Sequence, residues 1–362
     1  VELKPQLTFA DRLEIAAARA IAALPPRVKR RIAGKPVRRD GLELDLEMQV
    51  LLKLEERNPR PPLSSAGPAE ARESLRHAVR VVEGAASEIA DIRQTTIAGA
   101  EGTLAARLYM PGDGWEGAGR ALIVYYHGGG WVAGDLDTHD LPCRLLAKAS
   151  GARVLSVDYR LAPEHRFPAA VDDALAAFRD AVDRAEELGV EPDRIAVAGD
   201  SAGAHLAAVT ARQAVEDAGA APAFQLLIYP VTDLVEVSAS RRTFAEGFIL
   251  TKENMDWYEE QFLPPDGDRR DPSVSPLLGT VHPATAPALV VTAGFDPLRD
   301  EGEAYARKLR EAGVRTMTRR HEGYVHGFIH ALIFGPGPRE AIAEMGGVLR
   351  AALAAERTPS AS

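Results

Sequence analysis

The sequence predicts an α/β protein with a largely parallel β-sheet and helices on both faces. Short apolar runs at Leu122 to Tyr126, Val154 to Tyr159, Ile195 to Ala198, Leu226 to Tyr229, Leu289 to Thr292 and Arg315 to Arg319 read as strands. Helical patterns at Leu141 to Ala149, Ala169 to Leu188, Ala202 to Ala218, Glu301 to Ala312 and Glu340 to Ala355 separate most of them, and that alternation implies a parallel sheet. Small-residue turns follow two of the runs, at the carboxyl ends of strands where functional groups gather in such sheets.

From the amino end, Thr8 to about Val82 is helical in pattern. Phe9, Leu13, Ala16, Ala20 and Leu24 recur at near-helical spacing, and Leu42, Leu46, Val50 and Leu54 repeat it. Pro25-Pro26 and the Pro59 to Pro62 cluster break the runs. After Ser87 the period changes: Ser87 to Thr96 and Leu104 to Met110 read as a strand pair joined at Gly99 to Gly102. Residues 1–86 are therefore expected to form a helical cap segment and 87–362 the α/β domain. Between Val231 and Leu278 the alternation stops, and Phe244, Phe248, Ile249, Leu250, Trp257, Tyr258 and Phe262 crowd a stretch with no strand. This stretch, about 231–278, is expected to be a second cap element inserted over the active edge of the sheet.

At 362 residues and 46% hydrophobic content, the chain can bury a full core without disulfides. The net charge of -9, from 43 basic and 52 acidic residues, argues against a nucleic-acid partner or an anionic membrane surface, since both need a basic face. The lone Cys143 excludes an intramolecular disulfide, fits a reducing cytoplasmic compartment and reads as a packed helix residue. Asp11, Arg12, Glu14 and Arg19 interrupt the alanine-rich N-terminal stretch, so it does not read as a signal sequence. No apolar run approaches bilayer-spanning length.

Gly199-Asp200-Ser201-Ala202-Gly203 lies between the run Ile195 to Ala198 and an alanine-rich helix. A serine held between small residues at a strand-to-helix turn is how a nucleophile elbow reads, and glycine on either side avoids collision with the neighbouring backbone. His127-Gly128-Gly129-Gly130-Trp131 follows another strand, and consecutive glycines let backbone amides approach a ligand. Those amides and that of Ala202 read as an oxyanion hole, in preference to a flexible turn.

A serine hydroxyl needs a base, and His326 in Tyr324-Val325-His326-Gly327-Phe328 stands a few residues after the last strand. His321 and His330 are its rivals, and His205 reads as a packed helix residue. The three neighbouring histidines do not read as a metal site, because no H-E-x-x-H pattern is present and their spacing crosses a glycine-containing loop. Asp296, after the strand Leu289 to Thr292, is the acid that orients the imidazole, with Asp300 as the alternative. The order Ser, Asp, His is that of an α/β-hydrolase.

With these pieces assembled, the chain resembles the hormone-sensitive lipase family of α/β-hydrolases, family IV of the bacterial lipolytic enzymes. The matching segments are His127-Gly128-Gly129-Gly130-Trp131, Asp158-Tyr159-Arg160-Leu161-Ala162-Pro163-Glu164, Phe167-Pro168-Ala169-Ala170, Gly199-Asp200-Ser201-Ala202-Gly203, Asp296-Pro297-Leu298-Arg299-Asp300-Glu301-Gly302 and His326-Gly327-Phe328. The likeness runs from roughly Ser87 to Arg350. It implies an α/β-hydrolase fold, oxyanion donors at Gly129, Gly130 and Ala202, no metal or organic cofactor, and hydrolysis of esters with short to medium acyl chains. It also implies that Arg160 and Glu164 brace the loops around the site.

Ser201, Asp296 and His326 are the expected catalytic residues of a serine carboxylesterase, and Trp131, Phe248 and Trp257 the expected substrate contacts. The partner is a small ester, and a homodimer is the assembly expected if there is one. An amidase or arylacetamide-type deacetylase would use the same triad. A non-catalytic small-molecule receptor is the reading from another class, and the joint presence of Ser201 and His326 argues against it.

Overall fold

The computed structural model of the chain describes residues 8–57, 63–112, 120–216 and 220–354. The expected break at Pro59 to Pro62, and the expected helix ends at Ala218 and Ala355, lie outside them.

Five helices open the chain: α1 (Phe9–Ala22), α2 (Pro26–Ala33), α3 (Leu46–Arg57), α4 (Leu63–Ala66) and α5 (Pro68–Val82). Thr8 caps α1 in a capping box with Asp11. Pro26 occupies the first turn of α2, where its missing N–H leaves nothing unpaired. Leu42 does not belong to a helix. It lies in a two-residue hairpin, β1 (Arg38–Arg39) and β2 (Leu42–Glu43), whose turn residues Asp40 and Gly41 both have positive φ, at 52° and 75°. An Asp-Gly pair favours this turn over continued helix, and it resets the chain before α3.

The main sheet has eight strands: β3 (Asp91–Gly99), β4 (Gly102–Met110), β5 (Leu122–Tyr126), β6 (Arg153–Val157), β7 (Ile195–Asp200), β8 (Gln225–Ile228), β9 (Ala288–Phe295) and β10 (Thr316–Val325). Their spatial order is β10-β9-β8-β7-β5-β6-β4-β3. The six strands from β10 to β6 run parallel, while β4 pairs antiparallel with both β6 and β3. β5 and β7 are buried along their whole length, as central parallel strands covered on both faces are. β3 starts at Asp91 rather than Ser87, and as an edge strand it leaves Asp91, Arg93, Gln94 and Thr96 exposed.

The connecting helices are α6 (Asp140–Ser150), α7 (Ala169–Asp183), α8 (Ala202–Glu216), α9 (Ala239–Thr243), α10 (Lys252–Phe262), α11 (Arg299–Glu311) and α12 (Gly337–Ala354). α7 stops five residues before the expected Leu188. Cys143 is fully buried in α6, and its thiol is pushed above the usual range, chiefly by burial. Two layers of side chains flank the sheet, one centred on Leu122, Val124, Phe178, Val197 and Tyr305, the other on Tyr125, Leu146, Phe295, Phe328 and Leu349. Between β8 and β9 the described chain forms no strand; α9 and α10 occupy that gap. No helix is long and apolar enough to cross a membrane among the described residues.

Candidate active site

The elbow forms where β7 turns directly into α8. Ser201 sits at its apex with φ of 54°, a left-handed conformation that an L-residue adopts only when its surroundings impose it. The Ser201 amide donates to the Ile228 carbonyl and its own carbonyl accepts from His205, which locks the turn on both sides. A Cβ at position 203 would stand 1.9 Å from the Tyr126 carbonyl oxygen, so only glycine lets α8 begin this close to β5.

The side chains converge from three strand ends. His326 Nε2 lies 3.0 Å from Ser201 Oγ, and His326 Nδ1 lies 2.8 Å from Asp296 Oδ2. Asp296 is wholly buried, and its second oxygen accepts the Leu298 amide at 2.8 Å, which fixes the carboxylate plane. β10 runs to Val325, six residues beyond the expected Arg319, and its pairing with β9 slips between His321 and Val325. That irregularity turns the chain so that the next residue, His326, faces the elbow. Tyr229, held at φ of 38°, packs its ring 4.5 Å from the imidazole.

The rival residues are placed elsewhere. Asp300 accepts the Ser240 amide at 2.7 Å and pairs with Arg299. His321 stacks on Tyr324 at 5.3 Å. His205 is buried against Trp131, whose indole N–H donates to its Nδ1 at 3.2 Å; burial pushes His205 down to about 4. Arg160 grips Asp173 with two nitrogens, and Glu164 pairs with Arg72 of α5, tying the loop after β6 to the N-terminal helices.

The glycine run leaves the end of β5 and curls beside Ser201. The amides of Gly129 and Gly130 make no hydrogen bond among the described residues, and Ala202 is the first residue of α8, whose amide has no acceptor within its helix. Gly130 has φ of 63°, and a Cβ there would stand 2.3 Å from the Tyr258 ring. His127 orders the loop from behind: its ring stacks on Tyr159 at 4.3 Å, and its carbonyl accepts the Tyr159 hydroxyl at 2.7 Å. Burial pushes the His127 imidazole down to about 4, so it is a neutral scaffold.

Sequence reasoning gave Asp200 no separate role. In the structure its Oδ1 accepts from the Gly128 amide at 2.9 Å and the Tyr125 hydroxyl at 2.8 Å, with His139 Nε2 3.1 Å away. The elbow and the glycine loop are thus fastened to each other through one buried carboxylate. Burial raises this carboxyl, but the His139 imidazole, His330 and the Tyr125 hydroxyl outweigh burial and hold it well below the usual carboxylate range.

One ligand-type atom from each of His139, Asp200 and His330 falls within 4.8 Å of the others. The Gly128 amide points between two of them, 3.2 Å from His139 Nε2 and 2.9 Å from Asp200 Oδ1. Its hydrogen stands where a cation would, so this donor set suits an internal hydrogen-bond network rather than a metal. Burial pushes His330 down to about 3, and its ring meets His139 edge-on at 4.7 Å.

Ser201, His326, Gly129 and Gly130 open into a cavity of about 610 Å³. Leu51 and Leu52 of α3, Leu75 and Val79 of α5, and Phe248 and Met255 from the stretch before β9 form its apolar walls. Trp131 and Phe248 both line it. Trp131 is also packed flat on Phe262 at 4.1 Å and only 2% exposed, so little of it faces the cavity. Trp257 is not part of the lining; it packs with Ala71, Val132 and Ala162. One residue along α10 turns the side chain by about 100°, and Tyr258 takes the cavity-facing place. The Tyr258 hydroxyl makes no hydrogen bond among the described residues, and burial pushes it up to about 12.

Comparison with known proteins places the chain among ester hydrolases. Residues 123–330 match the model of a family described as the alpha/beta hydrolase fold. A carboxylic ester hydrolase of Mycobacterium tuberculosis, LipN, is 46% identical over 269 residues, 73% of this chain and 71% of that protein. An ethyl acetate hydrolase of Pseudomonas putida is 42% identical, over 74% of this chain and 85% of its own length. Among solved structures, a hyperthermophilic esterase from the archaeon Pyrobaculum calidifontis superposes with a TM-score of 0.81 at 39% identity, covering 86% of this chain and 99% of that one.

Proposed function

From the premise that this chain belongs to the hormone-sensitive lipase family of α/β-hydrolase carboxylesterases, we propose that it hydrolyses uncharged short- to medium-chain esters through Ser201, His326 and Asp296. The observation that carries this reading is the unbroken hydrogen-bonded line from Ser201 Oγ through His326 to a buried Asp296, opening into an apolar cavity.

Ser201 Oγ attacks the ester carbonyl carbon while His326 Nε2 takes its proton. Asp296 accepts from Nδ1, holds the imidazole in the tautomer with hydrogen on that nitrogen, and stabilises the imidazolium. Negative charge develops on the former carbonyl oxygen, and the amides of Gly129, Gly130 and Ala202 receive it. Because the fold has already oriented them, they need not reorganise during the reaction. Collapse of the tetrahedral intermediate breaks the bond to the alkoxy oxygen, which leaves as the alcohol with the proton from His326. Water, deprotonated by the same imidazole, then releases the acid from Ser201.

The N-terminal helices and residues 231–278 act as a two-part cap, since α3, α5 and the Phe248 segment supply the apolar walls that receive the substrate's hydrocarbon parts. Mass spectrometry after organophosphate treatment tests the reading: the adduct belongs on Ser201, and Ser201→Ala should lose hydrolysis of p-nitrophenyl esters. Labelling at another serine, or an active Ser201→Ala protein, would refute it.

A further inference from the structure

The net charge of -9 conceals a gradient. The first forty residues hold ten basic and four acidic side chains, so the acidic excess lies entirely in the remainder. Arg12, Arg19, Arg27, Arg31 and Lys35 are exposed, and none makes an ion pair among the described residues.

The same segment presents an apolar stripe to solvent. Phe9 is 83% exposed and Leu13 62%, the two most exposed large hydrophobic residues among those described. At 100° per residue, Phe9, Leu13, Ala16, Ala17 and Ala20 occupy an arc of about 100° on α1, and all five are exposed. Arg12 and Arg19 fall together along one border of that arc and are exposed too. The opposite face of α1 is the packed one. Ile15 and Ala18 are buried, and Glu14 and Asp11 lie 2.9 and 3.4 Å from the ring nitrogens of His77 on α5. α1 therefore has two faces with different partners: one seated on the protein, one with no partner among the described residues.

Its position gives the free face a meaning. α1 packs on α5 and α2 packs on α3, and α5 and α3 are walls of the substrate cavity. The stripe and its arginines thus form the outer layer over the cavity. We propose that the outer face of α1 docks this protein on an anionic lipid surface, with Phe9 and Leu13 entering the headgroup boundary and Arg12 and Arg19 meeting the lipid phosphates. Charge complementarity selects this occupant: an apolar helix face bordered by unpaired arginines, in a basic segment of an otherwise acidic chain, fits a negatively charged interface. Docking there would bring the cavity close to esters dissolved in the membrane.

The full chain is tested by co-sedimentation with vesicles of phosphatidylcholine alone and of phosphatidylcholine mixed with phosphatidylglycerol. Binding is expected to the anionic vesicles only and to weaken as salt rises. The Phe9→Ser/Leu13→Ser and Arg12→Ser/Arg19→Ser pairs should each lower the partition coefficient by at least about tenfold. Hydrolysis of a water-soluble p-nitrophenyl ester should be unchanged in both, which keeps this test separate from that of the catalytic reading. Equal partition of wild type and variants, or no binding to anionic vesicles, would overturn the proposal. So would a dimer, seen by light scattering, that the Phe9→Ser/Leu13→Ser pair dissolves while wild-type protein ignores vesicles; the face would then belong to a second copy of the chain.

Discussion

Replacing Asp200 with asparagine separates the anchoring of the glycine loop from the chemistry proposed for Ser201. Asparagine keeps the volume and one acceptor oxygen, so the Gly128 and Tyr125 hydrogen bonds can persist in weakened, uncharged form. Hydrogen bonds to a charged group contribute about 1.5–3 kcal/mol each and neutral ones about half that, so with two such bonds weakened the variant should lose about 1.5–3 kcal/mol of stability. Alanine would instead leave the Tyr125 hydroxyl and the Gly128 amide without the carboxylate acceptor in a buried site, a loss of about 2–6 kcal/mol at about 1–3 for each, large against a typical stability of about 5–15 kcal/mol. Removing an oxyanion donor outright typically lowers kcat by about 10²–10³. A loosened Gly128 shifts the neighbouring donors without removing them, so kcat should fall about tenfold to a hundredfold. KM should change little, because donors in the proposed role act on charge that develops only in the transition state. Steady-state hydrolysis of p-nitrophenyl butyrate, with thermal melts of both proteins, measures each quantity. The folded-state pKa of Asp200 is depressed, so its stabilising contribution is complete above the unfolded carboxyl value of about 3.9 and is lost only as pH falls through the lower, folded value. The stability gap between wild type and Asp200→Asn should therefore stay constant from pH 5 to pH 8. A well-folded Asp200→Asn enzyme with wild-type kcat would refute the anchoring argument.

Ser201→Ala and His326→Ala should each remove nearly all activity while melting close to wild type, and combining them should add little, since the residues act as a unit; strict additivity would count against the triad. Phe248→Ala should move the preferred acyl chain to longer esters, at about 1 kcal/mol of discrimination per methylene, whereas Trp257→Ala should destabilise by about 3–5 kcal/mol and leave the chain-length profile alone; a shifted profile in Trp257→Ala would put that residue back on the substrate. Burial, with Asp135 nearby, raises Asp158 to about 6. Its ionisation therefore opposes folding above that pH and not below the unfolded value, so Asp158→Asn should stabilise by about 2–3 kcal/mol at pH 8 and hardly at pH 3 in denaturant titrations.

The parts of the site that could be read from sequence are those whose chemistry constrains neighbouring residues. The elbow needs small residues two positions either side of Ser201, and the glycine loop needs a consecutive run, so both leave a local trace. Asp296 and His326 follow from strand order once the serine is placed. Asp200 leaves no such trace: its role depends on Gly128 and His139, distant in sequence, and on a side-chain direction fixed only when β5 and β7 pair. Trp257 and Tyr258 show the same limit on a finer scale, because both are large aromatics in an apolar stretch and only the rotation of α10 decides which one faces the cavity. At Leu42 a helical spacing competed with the Asp40-Gly41 turn, and the turn prevailed because two successive positive φ values cannot be built into a helix. Net charge misleads in a related way. A sum over 362 residues has no direction, yet a surface acts through local charge, and within the basic first forty residues α1 carries Arg12 and Arg19 beside an apolar face exposed to solvent.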